Sequence, residues 1–380
     1  MTNEARDFPA QALPPWRRAV LKVGSSLLAV DAGGLSERHA RGLADFVNAS
    51  LAMRREVVIV SSGAVAAGRA VFSAAPGSGI AMAERQALAA LGQARVIALW
   101  QGLLQRPVAQ VLLTHDDLRN RRRYLNARGT LQALLAMGAI PVINENDTVS
   151  VDELKLGDND NLAAVVAALV DADALFIATD IDGLFSANPR LHGDARAVGD
   201  VDAITPEILA MAGEAGSSAG TGGMRTKLEA ASKAAAFGIE TFLFNGTAPG
   251  AVAALGTGTL FGTRFRPAQT RLAARKYWLR NVPLETGAIV VDAGAAAAMV
   301  EKGGSLLPGG IIDAEGDFRR GDMIQVVVRD GDARTVARGV SQYSAKDIRR
   351  IARRHSRDIE SLLGYSYGGN VIHRDDLLLS

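Results

Sequence analysis

Two clusters of acids and amides share the stretch PVINENDTVSVDELKLGDNDNL, Pro141 to Leu162. Asn144, Glu145, Asn146 and Asp147 close a short apolar run. Gly157, Asp158, Asn159, Asp160 and Asn161 precede a segment whose apolar residues Leu162, Val165, Val166, Leu169 and Val170 fall at helical spacing. A turn and a helix cap would use one or two of these side chains, and four consecutive Asp and Asn residues exceed that need. Carboxylates and amides together present acceptors for an ammonium and donors for a carboxylate, which suits an amino acid as ligand. A polar cluster between the carboxyl end of a strand and the next helix is also where open α/β sheets bind ligands.

Lysines and glycines supply a second chemistry. Lys22 stands in the middle of the apolar run AVLKV, where a charge is costly to bury unless an anion receives it. Gly24, Ser25 and Ser26 follow at once, and a turn this small lets backbone N–H groups approach a phosphate. Further on, the loop GSSAGTGG over 216–223 flows into MRTKLEAASKAAAFG. Cations in a first helical turn, here Arg225 and Lys227, are disfavoured by about 0.3–1 kcal/mol. An anion docked on the free N–H groups of that helix start would reverse the sign. The loop GxxxxGK[ST], a strand-linked GxGxxG and the paired HRD and DFG signatures do not occur, so any phosphate is held by a different architecture.

These residues must be positioned by a scaffold, and the periodicity describes one. Strands are expected over 19–23, 57–60, 108–113, 140–143, 174–178 and 241–244. Helices are expected over 35–53, 81–104, 124–137, from about 160 onward, and over 224–237 with a stop at Gly238. Such alternation predicts an α/β fold, a doubly wound and mainly parallel sheet. Past Phe261 the character changes. Residues 264–280 are rich in Arg, and the short strand-like runs 288–291, 323–328 and 335–340 predict a small β-rich second domain. The expected layout is a flexible leader over 1–17, the α/β domain over 18–263, a basic linker over 264–284, the β-rich domain over 285–368 and a tail over 369–380.

Composition narrows the classes. The chain of 380 residues is 48% hydrophobic with a formal net charge of +2, so neither sign of charge dictates a partner. Having no cysteine, it contains no disulfide, thiolate nucleophile or Cys-bound zinc. Its five histidines show no HExxH-type pairing. No run approaches the roughly 20 apolar residues of a membrane span, and a cytoplasmic protein is expected. The Arg-rich stretches 119–128 and 349–357 read as solvated helix faces, with nucleic-acid contact as the alternative.

AVLKVGSSLL, VIVSSGAVAAGR, LNARGTLQALL, PVINENDTV, KLGDNDNLAA, TDIDGLFSANPR and GTGGMRTKLEAA occur in this order. Together they resemble the bacterial glutamate 5-kinases of the amino-acid kinase fold. SLLPGGI and RRGD, with the glycines around them, are similar to the PUA domain appended to many such enzymes. This resemblance implies ATP-dependent phosphorylation of the side-chain carboxylate of L-glutamate, the first step of proline synthesis. It assigns phosphate binding during transfer to Lys22 and Lys227, and their positioning to Asp160. Glutamate contacts fall on Ser62, Asp147 and Asn159. Nucleotide contacts fall on Lys22, Gly24, Thr179, Asp180, Thr221, Gly222, Gly223, Met224, Arg225, Thr226 and Lys227. Mg²⁺ is expected with ATP, without assigned protein ligands. A homo-oligomer, a partnership with glutamyl-phosphate reductase and RNA binding by the PUA-like domain complete the expectations. The alternatives are a related kinase on another acidic substrate, such as N-acetylglutamate or aspartate, or on a nucleoside monophosphate, and an RNA-binding protein that keeps the kinase domain as a scaffold.

Overall fold

The computed structural model describes residues 7–29, 34–71, 81–149, 159–212, 223–267, 269–270, 273, 284, 287–330 and 332–379. The chain divides into two compact units: Met1–Arg119 with Thr130–Arg271, and Asn120–Gly129 with Leu272–Ser380.

In the first unit β1 (Gln11–Ala12) and β2 (Arg18–Val23) lead into α1 (Glu37–Ala52), β3 (Glu56–Ser61), α2 (Ala64–Arg69) and α3 (Met82–Leu103). Next come β4 (Val108–Leu113), α4 (His115–Arg119), α5 (Arg121–Ala136, in this unit only from Thr130 onward), β5 (Ile140–Glu145), α6 (Asn159–Leu169) and β6 (Ala174–Thr179). The short strands β7 (Leu184–Phe185), β8 (Ala197–Val198) and β9 (Asp200–Val201) precede α7 (Pro206–Met211) and α8 (Met224–Ala236). Last are β10 (Glu240–Asn245), α9 (Pro249–Gly256), β11 (Thr259–Leu260) and β12 (Gly262–Phe265).

Eight of these strands form one sheet in the order β4-β5-β3-β2-β6-β10-β12-β9. From β4 to β10 every pairing is parallel, and β12 runs antiparallel to β10. β2, β3, β5 and β6 are buried at successive residues, which requires cover on both faces and explains their unbroken apolar runs. The chain builds leftward from β2 through β3 and rightward from β6 through β10. The change of direction therefore falls between β2 and β6, where open α/β sheets leave a crevice at the strands' carboxyl ends. Register aligns those ends: Val23 lies opposite both Ser61 and Ala178. Beneath them the largely aliphatic core holds an aromatic group, with Phe176 stacked on Phe242 at 5.1 Å and in contact with Phe46 and Trp16.

The amino-terminal residues that are described differ from a flexible leader. Phe8 packs edge-on against Phe185, Trp16 is buried against Phe46 and Phe176, and β1 pairs with β11. Pattern reading missed this because the segment mixes acids, Pro and Arg, and its few apolar residues act singly.

In the second unit five strands are ordered β14-β13-β15-β16-β17, with β13 (Gly287–Val291), β14 (Ile311–Gly316), β15 (Met323–Asp330), β16 (Asp332–Val340) and β17 (Leu377–Leu379). Ile289, Val291, Ile324 and Val326 fill its core together with Tyr343, Ile348 and Ile372. Two boundaries differ from expectation. The tail over 369–380 contributes β17 and the buried Val371 and Ile372, so it completes the sheet rather than trailing from it. Asn120–Gly129, the basic start of α5, groups with this unit: Leu125 packs on Met323 and Val340, and Arg121 Nε donates to the Gly321 carbonyl at 3.2 Å. Much of the proposed linker lies outside the described residues, and its first two residues belong to β12.

Candidate active site

Four parallel strands deliver the polar residues of the first unit to one edge. β2 ends before Gly24, β3 before Ser62, β5 before Asn146 and Asp147, and β6 in Thr179 before Asp180. Gly63 has φ 103°, a left-handed turn that glycine adopts without strain, and it swings the chain from Ser62 directly into α2.

Asp160, in the first turn of α6, is wholly buried. Lys22 Nζ lies 2.5 Å from one of its oxygens and Lys227 Nζ 3.0 Å from the other. The Thr226 hydroxyl is also within 3.0 Å of this carboxylate. Lys22 comes from the sheet and Lys227 from the first turn of α8, so a single carboxylate gathers cations from elements far apart in sequence. Burial by itself raises the carboxyl's proton affinity. The adjoining ammonium groups, Lys22 ahead of Lys227, outweigh it and hold Asp160 below the usual carboxylate range. The result is an ionised acid that holds two ammonium groups together near the carboxyl end of β2.

Asn159, the preceding residue, begins a neutral network. Its Nδ2 donates to Ser62 Oγ at 2.6 Å and to Asn144 Oδ1 at 3.0 Å. Asn144 in turn donates to Gln93 Oε1 at 2.9 Å, and its Oδ1 accepts the Glu145 N–H at 2.9 Å. Ser61 sits behind, where Oγ accepts the indole N–H of the buried Trp100 at 2.9 Å. Asp147 is half-buried in the turn after β5.

A Cβ built on Gly24 would lie 3.7 Å from Lys22 Nζ, which puts the small turn beside the ammonium. Thr179 is buried, and its hydroxyl donates to the exposed Asp180 at 3.2 Å. Gly223 caps α8 without a side-chain bond, at a helix start whose first N–H groups suit an anion. Met224 is half-buried. Arg225 is exposed and pairs with Glu229 at 3.3 Å along its own helix. Thr221, Gly222, Gly157 and Asp158 lie outside the described residues. Among the described residues no three His, Asp or Glu side chains gather into a metal-binding group.

The sequence matches the amino acid kinase family over residues 17–245 and the PUA domain over 287–363. A glutamate 5-kinase of Xanthomonas oryzae pv. oryzae (strain KACC10331 / KXO85) is 71% identical over 361 residues, 95% of this chain and all of that one. The chain belongs to the glutamate 5-kinase branch of the amino acid kinase family. Glutamate 5-kinases of Xanthomonas campestris pv. campestris (strain 8004), at 70% identity over 95% of this chain and all of theirs, and of Xylella fastidiosa (strain M23), at 66% over 98% and 97%, are similarly related. Lys22, Asp160 and Lys227 are in direct contact here, and Ser62 and Asn159 are bonded to each other one residue away. Two residues of this network, Asn144 and Gln93, are not among those the resemblance assigns to glutamate, although Asn144 belongs to the first polar cluster. Asn144 could have been included, since it opens the NEND cluster. Gln93 could not, because nothing in an Ala- and Leu-rich helix marks one Gln as facing a polar strand end.

No described helix is long and apolar enough to cross a membrane.

Proposed function

We propose that the protein transfers the γ-phosphoryl group of ATP to the side-chain carboxylate of L-glutamate, giving L-glutamyl 5-phosphate and ADP, the first step of proline synthesis. The observation that carries this reading is the adjacency of Asn159 and Asp160, which ties a network of amides and hydroxyls to a pair of clustered ammonium groups. In the proposed step a carboxylate oxygen of glutamate attacks the γ-phosphorus. The bond from that phosphorus to the β–γ bridging oxygen breaks, and its electron pair leaves with ADP. The nucleophile is already ionised near neutrality, so no general base is required. Alignment and relief of anion repulsion remain as the protein's tasks.

Lys22 and Lys227 are assigned the charge relief, with Asp160 holding both at a fixed separation. Ser62, Asp147 and Asn159 are assigned to glutamate. Gly24, Thr179, Asp180 and the segment from Thr221 through Thr226 are assigned to the nucleotide. Mg²⁺ is proposed to enter on the triphosphate, since it is usually held by one or two carboxylates and by substrate phosphates. The described residues do not fit a metal centre of their own: Asp160 is committed to its lysines, and no step is assigned to the ion. The same reading makes this a cytoplasmic homo-oligomer that passes its acyl phosphate to glutamyl-phosphate reductase, with a PUA domain available to RNA.

Formation of the hydroxamate from L-glutamate, ATP, Mg²⁺ and hydroxylamine tests the reaction. Product is expected with L-glutamate and not with aspartate, N-acetylglutamate or a nucleoside monophosphate. Folded protein that yields none with L-glutamate overturns the proposal.

A further inference from the structure

Gln93 is an odd choice for its place in the fold. The inward positions of α3 around it are Leu88, Ala89, Gly92, Val96 and Trp100, all buried. Gln93 is itself only 7% exposed, and among the described residues its Nε2 is buried with no hydrogen-bond partner. An orphaned buried donor costs stability that Leu or Met at the same position would not. Such a breach of good core chemistry is expected where a site needs the group.

The other end of the side chain shows the need. Gln93 Oε1 accepts from Asn144 Nδ2, while the Glu145 N–H binds Asn144 Oδ1. Held from both ends, the Asn144 amide cannot turn over, and its Oδ1 faces Asn159. Both hydrogens of Asn159 Nδ2 are then consumed, one by Asn144 and one by Ser62. The polarity that remains is determined. Asn159 has only its carbonyl oxygen to offer, an acceptor. Ser62 Oγ already accepts from Asn159, so its hydroxyl hydrogen is left as a donor. An acceptor beside a donor matches an ammonium beside a carboxylate. The backbone fixes the register of this relay: a Cβ on Gly92 would fall 1.8 Å from the Ala64 carbonyl oxygen, and one on Gly68 1.9 Å from that of Leu88. Those two glycines let α3 press on α2, and the residue next to Gly92 is brought against the end of β5.

We infer that Gln93 is a positioning residue for L-glutamate, orienting Asn144 and through it Asn159 and Ser62, so that the pocket presents an acceptor to the ammonium and a donor to the carboxylate. It touches no substrate atom. The inference rests on the assignment of Ser62 and Asn159 to glutamate.

Three variants test it in the hydroxamate assay beside the wild type: Gln93→Met, Gln93→Leu and Gln93→Glu. Met and Leu remove the acceptor and the orphan donor together. Because the Gln93 Nε2 orphan is exchanged for an Asn144 Nδ2 left without its acceptor, they are expected to melt close to wild type, to raise the KM for L-glutamate about tenfold, and to leave the KM for ATP within about twofold and kcat within about threefold. Glu retains an acceptor oxygen in the same place and is expected to bring the KM for L-glutamate back to within about threefold of wild type. An unchanged KM for L-glutamate in Met and Leu, beside an active wild type, overturns this inference alone. So does a parallel rise in both KM values with a lower melting temperature, or loss of the fold in both variants, since a purely structural residue behaves that way. A wild type that makes no hydroxamate overturns the functional reading, and this inference falls with it.

Discussion

Asn159 and Asp160 are consecutive in the chain, the first half-buried and the second wholly buried, and they are held by opposite means. Asp160 is a full charge with no exposure, stabilised by two ammonium groups at 2.5 and 3.0 Å. Asn159 belongs to a neutral chain of amides and hydroxyls that ends at Gln93. Burying ions costs several kcal/mol each, recovered only when geometry is close and every charge is met. Neutral hydrogen bonds contribute about 0.5–1.5 kcal/mol net, but they are directional. On the proposed assignment, strength lies where phosphate charge has to be offset, and direction where a zwitterion has to be oriented. Each half can be broken separately.

The largest effect is expected from Asp160→Ala, which leaves two ammonium groups without their shared carboxylate. Loss of a partner from a buried ion pair costs about 3–5 kcal/mol, to be read by urea unfolding, and turnover should be lost with it. The pH dependence follows from the sign of the shift. Because the folded-state carboxyl lies below its ordinary value of 3.8, its contribution is complete above that pH and is lost as pH falls through the depressed folded value. The stability gap between wild type and Asp160→Ala should thus be constant from pH 7 to about 5 and close only in stronger acid. A gap that closes between pH 7 and 5 would contradict the ionised cluster.

Lys227→Ala and Lys22→Ala come next. Each leaves Asp160 one lysine, so stability should fall less than in Asp160→Ala. Removal of a group that stabilises transferring charge costs about 10²–10³ in kcat. A variant with normal kcat removes that lysine from the mechanism.

Gly92→Ala attacks the neutral half through its scaffold. With the new methyl 1.8 Å from a carbonyl oxygen, α3 must shift, and overpacking of this kind costs about 1–3 kcal/mol. The comparison is sharpened if the KM for L-glutamate rises in this variant while the KM for ATP does not. The smallest effect is expected from Asp147→Ala, a half-buried turn residue: roughly a tenfold rise in the KM for L-glutamate, about 1.4 kcal/mol, with kcat nearly unchanged.

The central strands were legible because β2, β3, β5 and β6 are covered on both faces, and continuous burial writes continuous apolar runs. The expected strand over 108–113 coincides with β4, and the expected helix over 224–237 exceeds α8 by one residue. Lys22 stood out for a related reason, as a charge inside such a run. Phe8, Trp16 and β17 were not legible, since each is buried by partners distant in sequence rather than by a periodic neighbourhood. The start of α5 carries the same lesson. Its arginines read as a solvated face, whereas Arg121 and Arg128 are bonded to Gly321 and Asp376 within the second unit.

Local pattern alone determined the central strands and the longer helices between them, and it marked the polar residues that exceed the needs of capping. It did so because burial on both faces, turn chemistry and helix ends act over a few residues at a time. Only the tertiary structure decided that one buried carboxylate is shared by Lys22 and Lys227, and that a glutamine in an alanine-rich helix orients the amide beside it. Those outcomes depend on distances between elements many residues apart, set by sheet order and by two glycines where helices touch, and hydrogen-bond polarity has no trace in spacing along the chain.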